Sequence, residues 1–174
     1  MRLTICLLSA VALTAVLSFP ASGQTKAKFI SQDGGFTIDL PREGYQGVEP
    51  VGDLNSGSGT YAWVTEDGQF SISYIDGAFP IQTATNSLNA LADIILKSPV
   101  NRQAQILSRR QFVSNGDPVV ELQIKRPQGN AINRLVMFKR RLFVITADWV
   151  QGDGKNAAAI LDSFEIMDLR SMIA

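Results

Sequence analysis

"RQAQILSRRQFVSNGDPVVELQIKRPQGNAINRLVMFKRRLFVITADW", residues 102–149, decides the fold. It reads as four successive strands. "RQAQILSRRQFV" and "PVVELQIKR" are joined by "SNGD", where Asn115-Gly116 supplies the residue pair that tolerates positive φ in a tight hairpin turn. "INRLVMFK" and "LFVITADW" meet at a short basic turn near Arg140. Their unbroken apolar runs, "LVMF" and "LFVITA", predict central strands, because alternation disappears when both faces of a strand are covered.

Upstream, the strand signals continue. Phe29–Ser31 and Gly35–Leu40 predict a first hairpin around the Asp-Gly-Gly turn of "QDGG". In "GFTIDLP", Phe36, Ile38 and Leu40 alternate with polar residues, so one face is buried, and Pro41 stops the strand. Gly44 to Ser58 reads as irregular chain. "TYAWVTEDGQFSISYID" is a second hairpin turning at Asp67-Gly68, with Tyr61, Trp63, Phe70, Ile72 and Tyr74 at alternate positions. Leu88, Leu91, Ala92, Ile95 and Leu96 make one stripe of a helix over Ser87–Lys97, with Thr85 or Asn86 as its cap and Ser98-Pro99 as its stop. A closing helix is predicted over roughly Asn156 to Ile166. Two helices far apart in sequence and several hairpins predict an α+β fold, a mostly antiparallel sheet with helices packed on its faces.

The N-terminus predicts a compartment. Arg2, the apolar run Leu3–Phe19 and the small residues Ala21 and Gly23 follow the order of a secretory signal peptide. Cleavage is expected between Gly23 and Gln24. This gives a signal segment 1–23, a single domain 24–174, and a periplasmic or secreted protein with no later membrane span. The stretch Gln24–Lys28 is polar and is expected to fray. Cys6, the single cysteine, lies in the signal segment, so stability must come from packing rather than disulfides. Charge is uneven: residues 24–100 hold 4 basic and 9 acidic side chains, residues 101–174 hold 11 and 7.

The order of these parts resembles the PsbP-like family. The matching pieces are "GGFTIDLP", the "WVTEDGQFSISY" hairpin, the mid-chain helix, "RRLFVITA" and a closing segment containing "DSFEI". The family comprises exported or lumenal proteins, among them an extrinsic subunit of photosystem II, and shares its α/β/α sandwich with a Ran-binding nuclear import factor. The resemblance implies that fold and an extracytoplasmic scaffold role. It carries over no functional residue: metal sites attributed to some members use histidine, and this chain has none.

The composition narrows the chemistry. Without histidine or a mature cysteine, Ser-His-Asp and Cys-His nucleophiles and zinc sites on those ligands are excluded. Lys97-Ser98 has no motif around it, and "GSG" at 57–59 lacks the lysine and helix of a phosphate cradle. Glu66, Asp67 and Asp76 read as acids flanking a hairpin turn rather than a convergent pair. "QGDGKN" offers too few oxygens for calcium. The expectation is therefore a non-enzymatic exported domain without cofactor or metal that binds a protein or other envelope component, and not nucleic acid. Candidate contact residues are Arg109, Arg110, Arg134, Arg140 and Arg141, with Tyr61 and Trp63. Glu121 is a possible partner for the mid-strand Arg134. Two alternatives are kept: a small-ligand carrier with a pocket lined by Tyr61, Trp63, Tyr74 or Trp149, and a carboxylate hydrolase using Glu66 or Asp76.

Overall fold

The structure is a computed structural model that describes residues 26–41, 46–51, 57–65, 68–77, 83–152 and 154–167. The expected signal segment and its cleavage site at Gly23/Gln24 lie outside the described residues, as do Glu66 and Asp67.

The strands are β1 (Lys26–Ser31), β2 (Phe36–Pro41), β3 (Gln46–Val51), β4 (Ser58–Thr65), β5 (Gly68–Asp76), β6 (Gln105–Ser114), β7 (Asp117–Arg126), β8 (Gly129–Phe138), β9 (Arg141–Trp149) and β10 (Glu165–Ile166). The helices are α1 (Ala84–Lys97) and α2 (Lys155–Asp162). One sheet has the order β3-β4-β5-β9-β8-β7-β6; a smaller one has the order β1-β2-β10. Every pairing between them is antiparallel. The fold is thus α+β and mostly antiparallel.

The four strands of residues 102–149 form a meander. Asn115 and Gly116 take φ of 54° and 91° at the first turn, and Lys139 takes φ of 53° at the basic one. The meander meets the β4–β5 hairpin because β5 pairs with β9 along its length, from Gly68↔Trp149 to Asp76↔Arg141.

Neighbouring residues of β7 serve two different cores. Val120 and Leu122 pack with Leu135, Met137 and Leu142 around Ala84, Leu88 and Ala92 of α1. Val119, one residue away, joins Ile132, Val136, Phe143 and Ile145 in a second core with Phe36, Ile38 and Leu40 of β2 and Ala157, Ile160 and Leu161 of α2. This two-sided burial is why "LVMF" and "LFVITA" lack alternation.

Four boundaries differ from expectation, each for a packing reason. Lys26–Lys28 does not fray; it pairs with Asp39–Pro41, and Lys28 meets Glu165 at 3.4 Å. The irregular stretch contains β3, whose backbone pairs with β4 through a register shift between Val48 and Val51. α1 begins at Ala84 because that residue is buried against the sheet, and its N-cap is Thr83, which makes no side-chain cap bond. The closing helix stops at Asp162. The Ser163 hydroxyl donates to the Ile160 carbonyl at 2.7 Å and accepts the Asp39 N–H at 2.9 Å, so the chain leaves the helix. Glu165 and Ile166 then pair with Thr37 and Phe36 as a third strand.

Candidate functional site: a groove at the turn between β8 and β9

Arg141 organises one end of the molecule. Its Nη2 donates to Asp76 at 2.7 Å, and its Nε donates to the other carboxylate oxygen at 2.5 Å. Nη1 reaches the carbonyls of Gly34 (2.6 Å) and Asp33 (3.1 Å) in the β1–β2 turn. The guanidinium also lies 4.8 Å from the centre of the Tyr74 ring. Such a fork-on-carboxylate contact holds three separate segments in one geometry. Gly77 N–H to the Arg140 carbonyl (2.8 Å) and Met167 N–H to the Gly35 carbonyl (2.9 Å) close the same corner.

Around this corner lies an open hollow of about 630 Å³. Phe138, Phe143, Ile166 and Met167 give it apolar walls; Lys139, Arg140 and Arg141 give it a basic rim. The Lys139 ammonium sits 4.6 Å from the centre of the Phe138 ring. Arg140 is exposed, and its side chain has no partner among the described residues. Phe138 and Ile166 also line a second hollow of about 180 Å³, which continues past Asp117, Val136 and Phe164 to Phe112. A third hollow, at Arg110, Phe112, Arg134 and Asp162, extends it to β6. The three share lining residues and form one groove that runs from the β8–β9 turn to the end of α2 at Asp162.

Two carboxylates along it are perturbed. The Arg141 hydrogen bonds hold Asp76 below the ordinary carboxylate pKa, against the opposing effect of partial burial, and Asp76 in turn raises Arg141. Burial raises Asp117, with Lys139 opposing. Away from the groove, burial also raises Asp148 despite its ion pair with Arg126, so desolvation outweighs the pairing there. Because Asp76 titrates lower when folded, its contribution to stability is present above the pKa of an unfolded aspartate. It is lost as pH falls through the folded value. Asp76→Asn is therefore expected to lower the melting temperature near neutral pH, and the difference from the parent protein to shrink as pH falls below the ordinary aspartate range. A melting difference that stayed constant as pH fell would contradict the ion-pair account.

The sequence-predicted contact residues do not form one patch. Arg109 lies on the α1 side of β6, where it donates to Asp93 at 2.7 Å and Asn89 at 2.8 Å. Arg110 is on the opposite face, paired with Glu121. Arg134 is largely buried and also pairs with Glu121, as the sequence suggested. Arg110 and Arg134 line the β6 end of the groove and share Glu121, while Arg140 and Arg141 line its β8–β9 end, where Arg141 is tied to Asp76. Tyr61 and Trp63 are core: Tyr61 stacks on Trp63 at 6.1 Å, and Phe29 packs edge-on to both. Neither they nor Tyr74 line the groove; Trp149 borders a separate hollow of about 80 Å³. Phe138, Ile166 and Met167 were not singled out from sequence, because an apolar residue beside a turn is normally core. Among the described residues no three His, Cys, Asp or Glu side chains gather as a metal site. Both Asp76 oxygens are engaged by Arg141.

The two sheets, their order and the helix packing define an α+β domain with a PsbP-like fold. The comparison that shows it is the solution structure of cyanobacterial PsbP (CyanoP) from Synechocystis sp. PCC 6803. It is similar with a TM-score of 0.59 and 11% identity, over 87% of this chain and 98% of that one. A crystal structure from Bacteroides thetaiotaomicron is similar over 84% of this chain and 50% of its own at 16% identity; its TM-score of 0.47 is too low to bear on the fold. No family model and no curated protein matches the chain.

Proposed function

We propose that the protein is a non-enzymatic, exported binding domain, layered as an α/β/α sandwich, that docks an envelope or secreted macromolecule in the groove. The observation that carries this reading is the groove's form: long, open and shallow, with apolar walls and a cationic rim at Lys139 and Arg140. Enzymes and carriers of small molecules enclose most of their ligand; an open apolar surface with charge at its edge suits a macromolecular partner carrying exposed acids. Export is supported by the order of residues 1–23, and by the described residues holding no helix long and apolar enough to cross a membrane.

The experiment is capture from envelope extract with immobilised protein, comparing the parent with Lys139→Glu/Arg140→Glu. Both side chains are exposed, and Lys139 gives up its contact with the Phe138 ring, so the variant is expected to melt a few degrees below the parent and to stay folded. A specific partner should be lost or at least tenfold depleted with the variant. Capture of the same partner at equal yield would remove the groove from the interaction.

A further inference from the structure

We infer that the outer edge of β6 accepts an extended polypeptide as an eighth strand, with carboxylates opposite Arg109 and Arg110 and apolar residues opposite Phe112 and Val113. This goes beyond the groove reading: Arg110 and Phe112 border the groove's β6 end, but strand addition is a main-chain interaction along β6 that the Lys139–Arg140 rim does not touch.

β6 ends the seven-stranded sheet, and no described strand pairs with its outer side. A free edge presents a row of unpaired N–H and C=O groups. Folds blunt such edges by keeping them short, bulged or studded with mobile charge. β6 does little of this. It is ten residues long, and its one register shift is confined to Ile106–Ser108; from Arg109 to Ser114 it pairs regularly with Leu122 to Asp117. It also leaves Ile106, Leu107, Phe112 and Val113 exposed, Val113 to 69%.

The two charges on this edge are held in place. Arg109 is clamped to α1 through Asp93 and Asn89, with Nη2 also reaching the Asn89 carbonyl at 3.1 Å. Arg110 is anchored by Glu121, and its guanidinium lies 5.8 Å from the Phe112 ring centre. Among the described residues only one of its nitrogens is engaged in a hydrogen bond, and the side chain is 60% exposed. Cations fixed at adjacent positions, with donors to spare, are ordered in advance for carboxylates on an incoming strand. A second copy fits poorly. Pairing β6 with itself about a two-fold axis at Arg109 or Arg110 sets like charges directly opposite, which destabilises a ladder, and moving the axis to Gln111 sets Arg110 against Phe112 and Arg109 against Val113; in each register β6, which has no acidic residue, offers neither cation a carboxylate. The occupant is therefore a different chain, acidic at the centre and apolar beside it, added edgewise.

The test is amide hydrogen exchange on the intact protein with three synthetic blocked peptides. The first carries Val-Phe-Thr-Glu-Glu, complementary in antiparallel order to Val113 back to Arg109. The second replaces Glu-Glu with Lys-Lys. The third is the first with alternate backbone nitrogens methylated. The first should slow exchange of β6 amides and saturate, the second should bind roughly tenfold or more weakly, and the third should leave β6 unprotected. Equal binding of the charge-reversed or methylated peptide would overturn the inference. So would an unprotected β6 with the first peptide, or β6 amides already protected in a dimer seen by sedimentation.

Discussion

Replacing Arg134 with alanine is expected to cost about 3–5 kcal/mol of folding free energy, measured by urea unfolding. Glu121 is the reason. Its side chain is 2% exposed, and the β7–β8 register sets it directly opposite Arg134. Arg134 donates Nε and Nη2 to one Glu121 oxygen at 2.9 and 2.7 Å. Its Nη1 also donates to the Leu161 carbonyl at 2.8 Å, and Nη2 to Asp162 at 2.7 Å, so one side chain ties the sheet to the end of α2. Truncation leaves a buried carboxylate with only the exposed Arg110 as its partner. The penalty comes from that orphaned charge rather than from the worth of the intact pair. Glu121→Leu/Arg134→Met should accordingly recover most of the loss. A cost below about 1 kcal/mol for Arg134→Ala would show that Arg110 alone satisfies Glu121.

Phe36→Ala is expected to cost a similar amount, about 3–5 kcal/mol, from the lost transfer energy and the cavity left behind. Phe36 is fully buried and touches rings from four places: Phe29 of β1 (6.1 Å between centres), Tyr61 of β4 (5.4 Å), Phe143 of β9 (6.3 Å) and Phe164 after α2 (5.7 Å). It is the hinge pin between the small sheet and the large one. Trp63, buried beside Phe29, supplies the fluorescence signal for the denaturation curve. Phe112→Ala on the exposed edge is the contrast, and should stay within about 0.5 kcal/mol of the parent. Equal costs at the two positions would mean that β6 is covered in solution.

Much of the groove was invisible in the sequence for a geometric reason. It is built from residues distant in the chain: Gly35, Asp76, Phe138 to Arg141, Phe143 and Ile166–Met167. None of these segments carries a motif, and they meet only because β5 pairs with β9 and β10 pairs with β2. The cluster of arginines was legible as a basic region, but side-chain alternation sends Arg109 and Arg110 to opposite faces.

Local chemistry in the sequence determined the hairpins. Asn115-Gly116 marked a turn, the 61–63 and 70–74 alternation marked one buried face, and the runs at 135–138 and 142–147 marked strands covered on both sides. These signals work because positive φ and the two-residue period of a strand are properties of the chain itself. The tertiary structure decided where elements stop and whom they meet. Phe164 follows the helical stripe of Ala157, Ile160 and Leu161, yet it lies beyond α2, packed between Phe36 and Phe143. Gln46–Val51 has no strong strand pattern, yet it becomes an edge because β4 offers an unpaired ladder. Periodicity records which residues want to be buried; the partner that buries them is fixed only when distant strands come together.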